Sequence, residues 1–362
     1  MPDAHLPLLY RASLLLLALL SFNANTISDE IPVRDSSNAK MSPQGPLVAT
    51  AEFEPTDAVL ITWDSDYLDF FSTIISELNR KTEVYVLVKD LYEERAAREH
   101  LSWEIVDVDS IQFVLHQLDT IWIRDYGPIS VHLPNGNFAF VDSGYSDDRP
   151  FDDSVPTNLA QYFDVPVLHS GLTLDGGNFL TNGKGLCLMT DLIDEDNPKL
   201  NRTEIAKQLN TYFGCTEMVV LHRLVGEETG HVDIFAKLIS QNTILLGQYE
   251  MKQDPVNASI LDSNASQLES VTLEDNRALS VIRIPMGAND DGVFRNYANS
   301  LYVNGTVIIP TYNTDRELNK RAIEIYKKVL PPKTRVVPVD ASAIIEQEGA
   351  VHCITQSLKY WN

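Results

Sequence analysis

A cysteine, two histidines and several carboxylates stand in four separated segments of the chain, and these residue types suit nucleophilic chemistry. Cys353 directly follows His352 near the C-terminus, and the other three segments span residues 119–125, 174–178 and 230–233. A thiolate is a strong nucleophile, an imidazole transfers protons, and carboxylates attract cations. This combination predicts nucleophilic attack on a cationic group.

His231 is the histidine that we expect to act with the cysteine. Residues i and i+2 of an extended segment point to the same face, so His231 and Asp233 should project together. Adjacent residues of a strand point to opposite faces, which would turn His352 away from Cys353. Each residue also has a simpler interpretation, with Cys353 as a small buried side chain and His231 as a structural histidine.

Asp125 and Asp233 form the expected binding site for a planar cation. A guanidinium group has N–H donors in a fixed plane, and two carboxylates can bind it from different sides. Trp122 is a candidate to stack on the cation or on its aliphatic stem. The alternatives are an Asp125–Arg124 pair that caps a strand and a tryptophan buried in the core.

The composition of the chain restricts its partners. Among 362 residues, 28 Lys and Arg stand against 51 Asp and Glu, which gives a formal net charge of −23. Nucleic acids and anionic membrane surfaces bind basic patches, so the sequence predicts neither as a partner. The charge suits a cationic substrate.

The three cysteines predict neither a disulfide framework nor a structural zinc site, because their spacing contains no Cys-x-x-Cys pair. Cys187 lies in an apolar strand-like run, and Cys215 precedes another. We interpret both as small core residues.

The N-terminal region differs from the rest. Arg11 precedes the apolar run 12–21, which is too short to span a bilayer and has the length of a signal-peptide core. We predict a signal peptide over residues 1–25, a linker over 26–45, and a single catalytic domain over 46–362. The protein is then exported, and its mature form has no membrane segment. The alternative for the N-terminal segment is a mis-assigned start codon or a disordered extension.

The first part of the folded region alternates between strand and helix patterns. Strands are predicted at 58–63, 82–88 and 111–115, with helices at 66–78 and 93–101 between them. This alternation predicts an α/β fold.

A strand–turn–strand–helix unit then recurs about every 50–60 residues. Its turn signals stand at 135–136, 182–183, 241–242 and 304–305, and residues 121–131 read as the strand that enters the first of these hairpins. Residues 201–213 and 315–330 are the clearest of the intervening helices. Such a repeat predicts a radial arrangement around a common centre.

Polar residues stand where each hairpin begins, so they should converge at that centre. They are Asp125, Asp175 or Asn178, His231 with Asp233, Asn299, and Cys353. A propeller that only binds its ligand has the same repeat, and the polar set is what favours a catalytic site.

Six motifs of the chain resemble those of agmatine deiminases and bacterial peptidylarginine deiminases. They are, in order, residues 52–55, 119–128, 175–177, 230–236, 297–299 and 349–356. The match runs from about residue 51 to the end of the sequence. The resemblance implies the pseudo-fivefold α/β propeller of guanidine-modifying enzymes, and cysteine chemistry without a metal or cofactor.

The resemblance also implies roles for individual residues. Cys353 would attack the guanidinium carbon, and His231 would protonate the departing ammonia and then activate water. Asp125 and Asp233 would hold the guanidinium nitrogens, and Asn299 would help to orient the site. The products are ammonia and a ureido compound, N-carbamoylputrescine or citrulline.

The substrate is expected to be agmatine or arginine, free or in a peptide. Residues 145–152 resemble the segment of bacterial peptidylarginine deiminase that binds the substrate carboxylate through two arginines. Arg149 matches one arginine, and Phe151 replaces the other. Arg149 would bind a carboxylate or pair with Asp147 or Asp153. Asp175 would bind the amine of agmatine or anchor the Gly-Gly turn.

Three other functions are weighed against this one. A papain-like cysteine hydrolase is disfavoured, since no Cys-Gly-x-Cys-Trp segment is present. An amidinotransferase would use the same site, but nothing in the sequence indicates an amine acceptor. The third is a non-catalytic propeller that binds cationic peptides. The oligomeric state is not predicted.

Overall fold

The computed structural model describes residues 45–104, 107–146 and 148–360. The predicted signal peptide lies outside the described residues, as does the predicted linker apart from Gly45. Among the helices of the described part, none has the length and apolar character required to cross a membrane.

The described residues form 17 strands and nine α-helices. The strands are β1 Val48–Ala49, β2 Ala58–Thr62, β3 Glu83–Val88, β4 Gln112–Leu115, β5 Ile129–His132, β6 Phe138–Gly144, β7 Val167–Thr173, β8 Leu180–Thr181, β9 Leu186–Thr190, β10 Glu217–Leu221, β11 Ala236–Ser240, β12 Thr243–Gln248, β13 Ser280–Pro285, β14 Leu301–Val303, β15 Thr306–Thr311, β16 Arg335–Asp340 and β17 Thr355–Leu358. The helices are α1 Leu68–Leu78, α2 Leu91–Trp103, α3 Ile123–Tyr126, α4 Pro150–Asp153, α5 Val155–Tyr162, α6 Leu192–Asp196, α7 Arg202–Phe213, α8 Pro255–Glu269 and α9 Arg316–Val329.

These strands make five small sheets in the described part of the chain, and all five share one plan. An antiparallel hairpin is followed by a crossover helix and then by a strand parallel to the second hairpin strand. The pairs β5–β6, β8–β9, β11–β12 and β14–β15 are the hairpins of four sheets. The parallel third strands are β7, β10, β13 and β16.

The fifth sheet joins the two ends of the ring. Its antiparallel pair is β17 with β2, so a strand near the C-terminus completes the sheet that the N-terminal part begins. Strands β3 and β4 then extend this sheet in parallel. The predicted repeat of strand–turn–strand–helix units in an α/β fold is confirmed, and the first and last parts of the chain together make the fifth unit.

The helices begin where the sequence offers caps. Asn201 makes a capping box with Glu204 at the start of α7, and Gly214 ends this helix with φ of 73°. Asp90, Asp254 and Asp315 accept backbone N–H bonds at the starts of α2, α8 and α9.

Three predictions of extended backbone are wrong, and all three concern the polar residues that precede a hairpin. Residues 121–131 are not one strand, because α3 precedes β5. His231 precedes a 3₁₀ turn over Val232–Ile234, and Cys353 lies in a turn just before β17. Tight turns direct these side chains toward a common centre, whereas an extended strand would alternate them between two faces.

Cys187 and Cys215 are buried in the core, as expected, but they also form a disulfide, which their spacing did not predict. Cys187 lies in β9, and Cys215 lies two residues before the parallel strand β10. The bond therefore ties together the two ends of the crossover that contains α7. Spacing alone missed it, because strand pairing is what brings the two α-carbons within 5.6 Å.

Removing this bond with Cys187→Ala and Cys215→Ala is expected to lower the free energy of unfolding by about 3 kcal/mol, because the open loop gains entropy in the unfolded chain. Urea unfolding measures the difference, and Cys353→Ala serves as the control that leaves the bond intact. Thiol titration of the denatured protein should find one free thiol before reduction and all three cysteines after it. Equal stability of the double variant and the control would contradict this expectation.

Candidate active site

All five sheets contribute to one cluster of side chains. In each case the contributing residues lie just before the first strand of the antiparallel pair. They are Asp125 before β5, Asp175 and Gly177 before β8, His231 and Asp233 before β11, Asn299 before β14, and Cys353 before β17. The predicted convergence of these segments on one centre is therefore observed in the structure.

The Cys353 thiol is buried and faces polar partners. Asn299 Nδ2 donates to Cys353 Sγ at 3.1 Å and to Asp233 Oδ2 at 3.1 Å. Cys353 Sγ lies 3.8 Å from Asp233 Oδ2. Burial and the nearby carboxylates Asp233 and Asp125 raise the pKa of the Cys353 thiol well above its ordinary value. The thiol of the free protein is therefore protonated at neutral pH.

His231 lies between two carboxylates. Its Nε2 is 3.1 Å from Asp175 Oδ2, and its Nδ1 is 3.5 Å from Asp125 Oδ1. Burial alone would lower the pKa of His231, but Asp125, Asp175 and Asp233 outweigh burial and raise it to about 10. The imidazole is thus protonated at neutral pH and holds a proton for a leaving group.

Asp125 is a site carboxyl group whose pKa is raised close to neutral pH. Burial raises the pKa of Asp125 to about 7, although His231 and the N–H of Gly177 oppose the rise. Gly177 donates this hydrogen bond to Asp125 Oδ1 at 3.2 Å. A bound cation would favour the ionised form of Asp125.

Gly177 lies so close to these groups that it has no room for a side chain. A Cβ atom there would lie 2.5 Å from Asp125 Oδ1 and 2.6 Å from His231 Nδ1. Gly177→Ala is expected to displace both side chains and to lower kcat/KM by about 100-fold. Kinetics with a guanidinium substrate measure the effect.

Gly144→Ala is the matched control for this change, because a Cβ at Gly144 meets its neighbours at ordinary distances of 3.5 Å or more. The control should keep full activity. An active Gly177→Ala variant would show that the glycine does not determine the positions of Asp125 and His231.

The raised thiol pKa predicts how Cys353 reacts with iodoacetamide. The alkylation rate should be low at pH 7 and still rising above pH 9, because only the thiolate reacts. Asp233→Asn removes a negative charge beside the sulfur, so it should speed alkylation at pH 8. Mass spectrometry of the Cys353 peptide measures both rates, and a wild-type rate that levels off below pH 8 would be inconsistent with the raised pKa.

The other predicted site residues lie around this centre. Trp122 is half-buried and packs against Gly349, where a Cβ would lie 2.2 Å from the Trp122 ring. Asp175 contacts His231, whereas Asn178 accepts a hydrogen bond from the N–H of Thr190 and so belongs to the scaffold.

Arg149 bonds to a tyrosine. Its Nη1 donates to the hydroxyl of Tyr145 at 2.8 Å, and its guanidinium lies over the Tyr145 ring at 5.8 Å from the centroid. Asp153, one of the aspartates considered as a partner, instead accepts from the N–H of Tyr145. The segment is tied to the site because the buried Asp152 accepts three hydrogen bonds from Asp119 and Thr120.

Sequence reasoning missed three residues near the centre. Tyr145 and Asp196 are close enough that the site carboxylates affect their pKa values: burial and Asp175 raise the pKa of Asp196 to about 6. Glu52 reaches His352 across 300 positions of sequence. Glu52 lies in the first resemblance motif, and that was the only signal in the sequence that could have indicated it.

His352 does not reach the thiol, but the strand argument that turned it away from the site is wrong. Residues 351–354 form a turn, and His352 Nδ1 lies 2.6 Å from Asp233 Oδ2. His352 therefore contacts Asp233, one of the site carboxylates.

A ring of five α/β units that directs a thiol, an imidazole, carboxylates and an amide to one centre defines the class of guanidine-modifying α/β propeller enzymes. The chain belongs to the family of Porphyromonas-type peptidyl-arginine deiminases, whose family model matches residues 48–358.

Curated relatives extend over most of the chain. A Streptomyces coelicolor protein, provisionally named an agmatine deiminase, is 28% identical over 303 residues, which cover 76% of this chain and 85% of that one. The agmatine deiminase of Medicago truncatula is 24% identical over 362 residues and covers 84% of this chain and 94% of its own.

Solved structures share the fold. The agmatine deiminase of Enterococcus faecalis superposes with a TM-score of 0.77 at 22% identity, over 87% of this chain and 96% of that chain. A Porphyromonas gingivalis protein, provisionally named an arginine deiminase, gives a TM-score of 0.76 at 24% identity, over 86% and 98% of the two chains.

Proposed function

We propose that this protein is a hydrolase that acts on C–N bonds of linear amidines and converts a guanidinium group into a ureido group and ammonia. The observation that carries the proposal is the pair of carboxylates around the buried thiol. Asp233 Oδ2 lies 3.8 Å from Cys353 Sγ, and Asp125 is close enough to raise the pKa of the thiol. A planar cation held by these two carboxylates would have its central carbon beside the sulfur.

The reaction then follows from the protonation states of the site. When the substrate cation offsets the negative charge around it, the thiol loses its proton to solvent. The thiolate adds to the guanidinium carbon, and a C–S bond forms. His231 donates its proton to one amino nitrogen, the C–N bond breaks, and ammonia leaves.

The second half of the reaction uses the same imidazole as a base. His231 removes a proton from water, the oxygen adds to the carbon of the thiouronium intermediate, and the C–S bond breaks. The remaining hydroxyl proton passes to the sulfur, which leaves as the thiol, and the product is a ureido compound. Asn299, which bonds to both Cys353 and Asp233, keeps the sulfur and the carboxylate in fixed relation.

We further propose that the groups at the edge of the site select the substrate among agmatine, free arginine and peptidyl arginine. Arg149 is suited to a carboxylate, which arginine has and agmatine lacks. Asp175 and Asp196 are suited to an amine, which agmatine and free arginine carry. Trp122 would form the wall beside the aliphatic stem.

A substrate panel tests the function. Purified protein is incubated with agmatine, free arginine, and peptides with internal or C-terminal arginine, and ammonia and ureido product are measured between about pH 5 and 10. Product from at least one compound supports the proposal. Absence of product from all of them, together with binding of a cationic peptide, would favour the non-catalytic propeller. Product that forms only when an amine acceptor is added would favour an amidinotransferase.

Arg149→Ala tests the choice of substrate. If Arg149 binds a carboxylate, the variant loses activity on arginine with a free carboxylate by about 10-fold or more and keeps its activity on agmatine. Arg202→Ala is the control. Arg202 is exposed and pairs with Asp194 on another helix. An unchanged ratio of the two activities would exclude this role for Arg149.

We also propose that the protein is exported, with a catalytic domain over residues 46–362. The disulfide between Cys187 and Cys215 supports export, because such bonds persist mainly in oxidising compartments. Mass spectrometry of the protein from its native host should find a mature N-terminus near residue 25. Recovery of the chain with residues 1–25 intact from the cytoplasm would overturn the proposal.

A further inference from the structure

Four ionisable side chains form a mostly buried cluster beside Asp233, and the mechanism above does not use them. The cluster consists of Glu52, Arg124, Lys237 and His352. Lys237 and His352 are each 1% exposed, and Arg124 is 8% exposed. Burying so many ionisable groups costs free energy unless each is paired. Their pairing therefore matters.

His352 connects two carboxylates. Its Nε2 lies 2.5 Å from Glu52 Oε2, and its Nδ1 lies 2.6 Å from Asp233 Oδ2. Burial would raise the pKa of Glu52, but Lys237, His352 and Arg124 hold it well below its ordinary value. Burial acts in the same direction on Asp233, but His352, His231 and Arg124 together more than offset it, so the pKa of Asp233 is lowered.

Both carboxylates are therefore ionised, and an ionised carboxylate only accepts hydrogen bonds. His352 is therefore held between two acceptors, and its Nδ1 contact fixes Asp233 Oδ2.

Glu52 has three partners besides His352. Lys237 Nζ donates to Glu52 and to the carbonyl of Ser300, and Arg124 Nη2 lies 3.4 Å from Glu52 Oε2. The N–H of Tyr302 donates to Glu52 Oε1 at 2.7 Å. Three contacts thus fix the carboxylate that holds the imidazole ring of His352.

The two oxygens of Asp233 have different surroundings as a result. Oδ2 accepts from His352 and Asn299. Oδ1 is buried and has no hydrogen-bond partner among the residues that the structure describes. An unpaired oxygen on a carboxylate whose other oxygen lies 3.8 Å from the thiol sulfur is an open acceptor for an N–H group of the substrate.

We infer that His352 and Glu52 are positioning residues, with Glu52 holding the imidazole ring and His352 Nδ1–H fixing Asp233 so that its second oxygen receives the substrate. The inference rests on the proposed deiminase function. Neither residue contacts the substrate, and both act through Asp233.

Two substitutions of His352 separate positioning from simple structural support. His352→Asn places an amide N–H near the position of Nδ1 and keeps the bond to Asp233. His352→Gln places it near the position of Nε2 and keeps the bond to Glu52 instead. Both remove the imidazole ring and one hydrogen bond, so a merely structural role would affect them equally.

Positioning predicts that His352→Gln lowers kcat by about 100-fold, because Asp233 loses its donor and shifts. His352→Asn should lower kcat by only about 10-fold, because Asp233 keeps its donor. Glu52→Gln should weaken the hold on His352 and reduce kcat, with Glu54→Gln in the same segment as the unchanged control. Equal kcat values for the two His352 variants would overturn the inference.

Crystal structures of the two His352 variants decide the inference independently of turnover. The Asp233 carboxylate should keep its 3.8 Å distance to Cys353 Sγ in His352→Asn and rotate away in His352→Gln. The same Asp233 conformation in both would refute the positioning role. If the wild-type protein acts on no guanidinium compound, the proposed function fails, and the structures still test whether His352 positions Asp233.

Discussion

Replacing Cys353 with alanine is expected to reduce ammonia release by more than about 10⁴-fold, since the variant cannot form the covalent intermediate. The remaining groups would still bind the guanidinium cation, because Asp125, Asp233 and Asn299 are unchanged. Calorimetry with the best substrate of the panel should therefore still detect binding.

The fold of this variant should survive. Cys353 is buried among carboxylates that disfavour its thiolate, and alanine removes only the sulfur. Its Tm is expected to equal or exceed that of the wild type, as often happens when an active-site group is removed. The double variant Cys187→Ala and Cys215→Ala is the matched control, because it loses cysteines and stability but keeps the nucleophile. Activity above a few per cent in Cys353→Ala would rule out Cys353 as the nucleophile.

Replacing His231 with glutamine is expected to lower kcat by about 10³-fold, because general acid–base catalysis typically contributes 10²- to 10⁴-fold. Glutamine can still donate a hydrogen bond to Asp175 or Asp125, but it cannot transfer a proton to ammonia or remove one from water. His222→Gln is the control, because His222 pairs with an aspartate outside the site. A variant with more than about a tenth of wild-type kcat would show that another group transfers the proton.

The same variant should change how stability depends on pH. The pKa of His231 is raised to about 10 in the folded protein, and that of an unfolded histidine is about 6.5. The stabilisation from His231 is therefore fully present below about pH 6.5 and is lost as the pH rises through about 10. Thermal unfolding between these limits should show a steeper fall of Tm in the wild type than in His231→Gln. Parallel curves would contradict the raised pKa.

Much of the fold follows from local patterns. Hairpins with Asn-Gly turns and helices that begin at Asn201 and Asp315 are decided by turn and cap chemistry, which a sequence displays directly. The period of the repeat then indicated a ring. The disulfide between Cys187 and Cys215 could not be predicted from these local patterns, because it depends on the register between β9 and β10.

The candidate site was predictable to a similar extent. The polar residues before each hairpin could be named, but their backbone was misjudged as extended, because turns such as Val232–Ile234 carry no glycine or proline signal. Tyr145 and Glu52 were missed because their places are set by tertiary contacts rather than by spacing.

The pairing of β17 with β2 has a consequence for how the protein is made in the cell. A chain grows from its N-terminus, so β2 has no antiparallel partner until residues 355–358 have left the ribosome. Cys353 is synthesised together with that partner, two residues ahead of it. Translation products that stop before residue 353 therefore have both an unclosed ring and no nucleophile. A nascent chain carries no competent active site until the ring that shields its thiol can close.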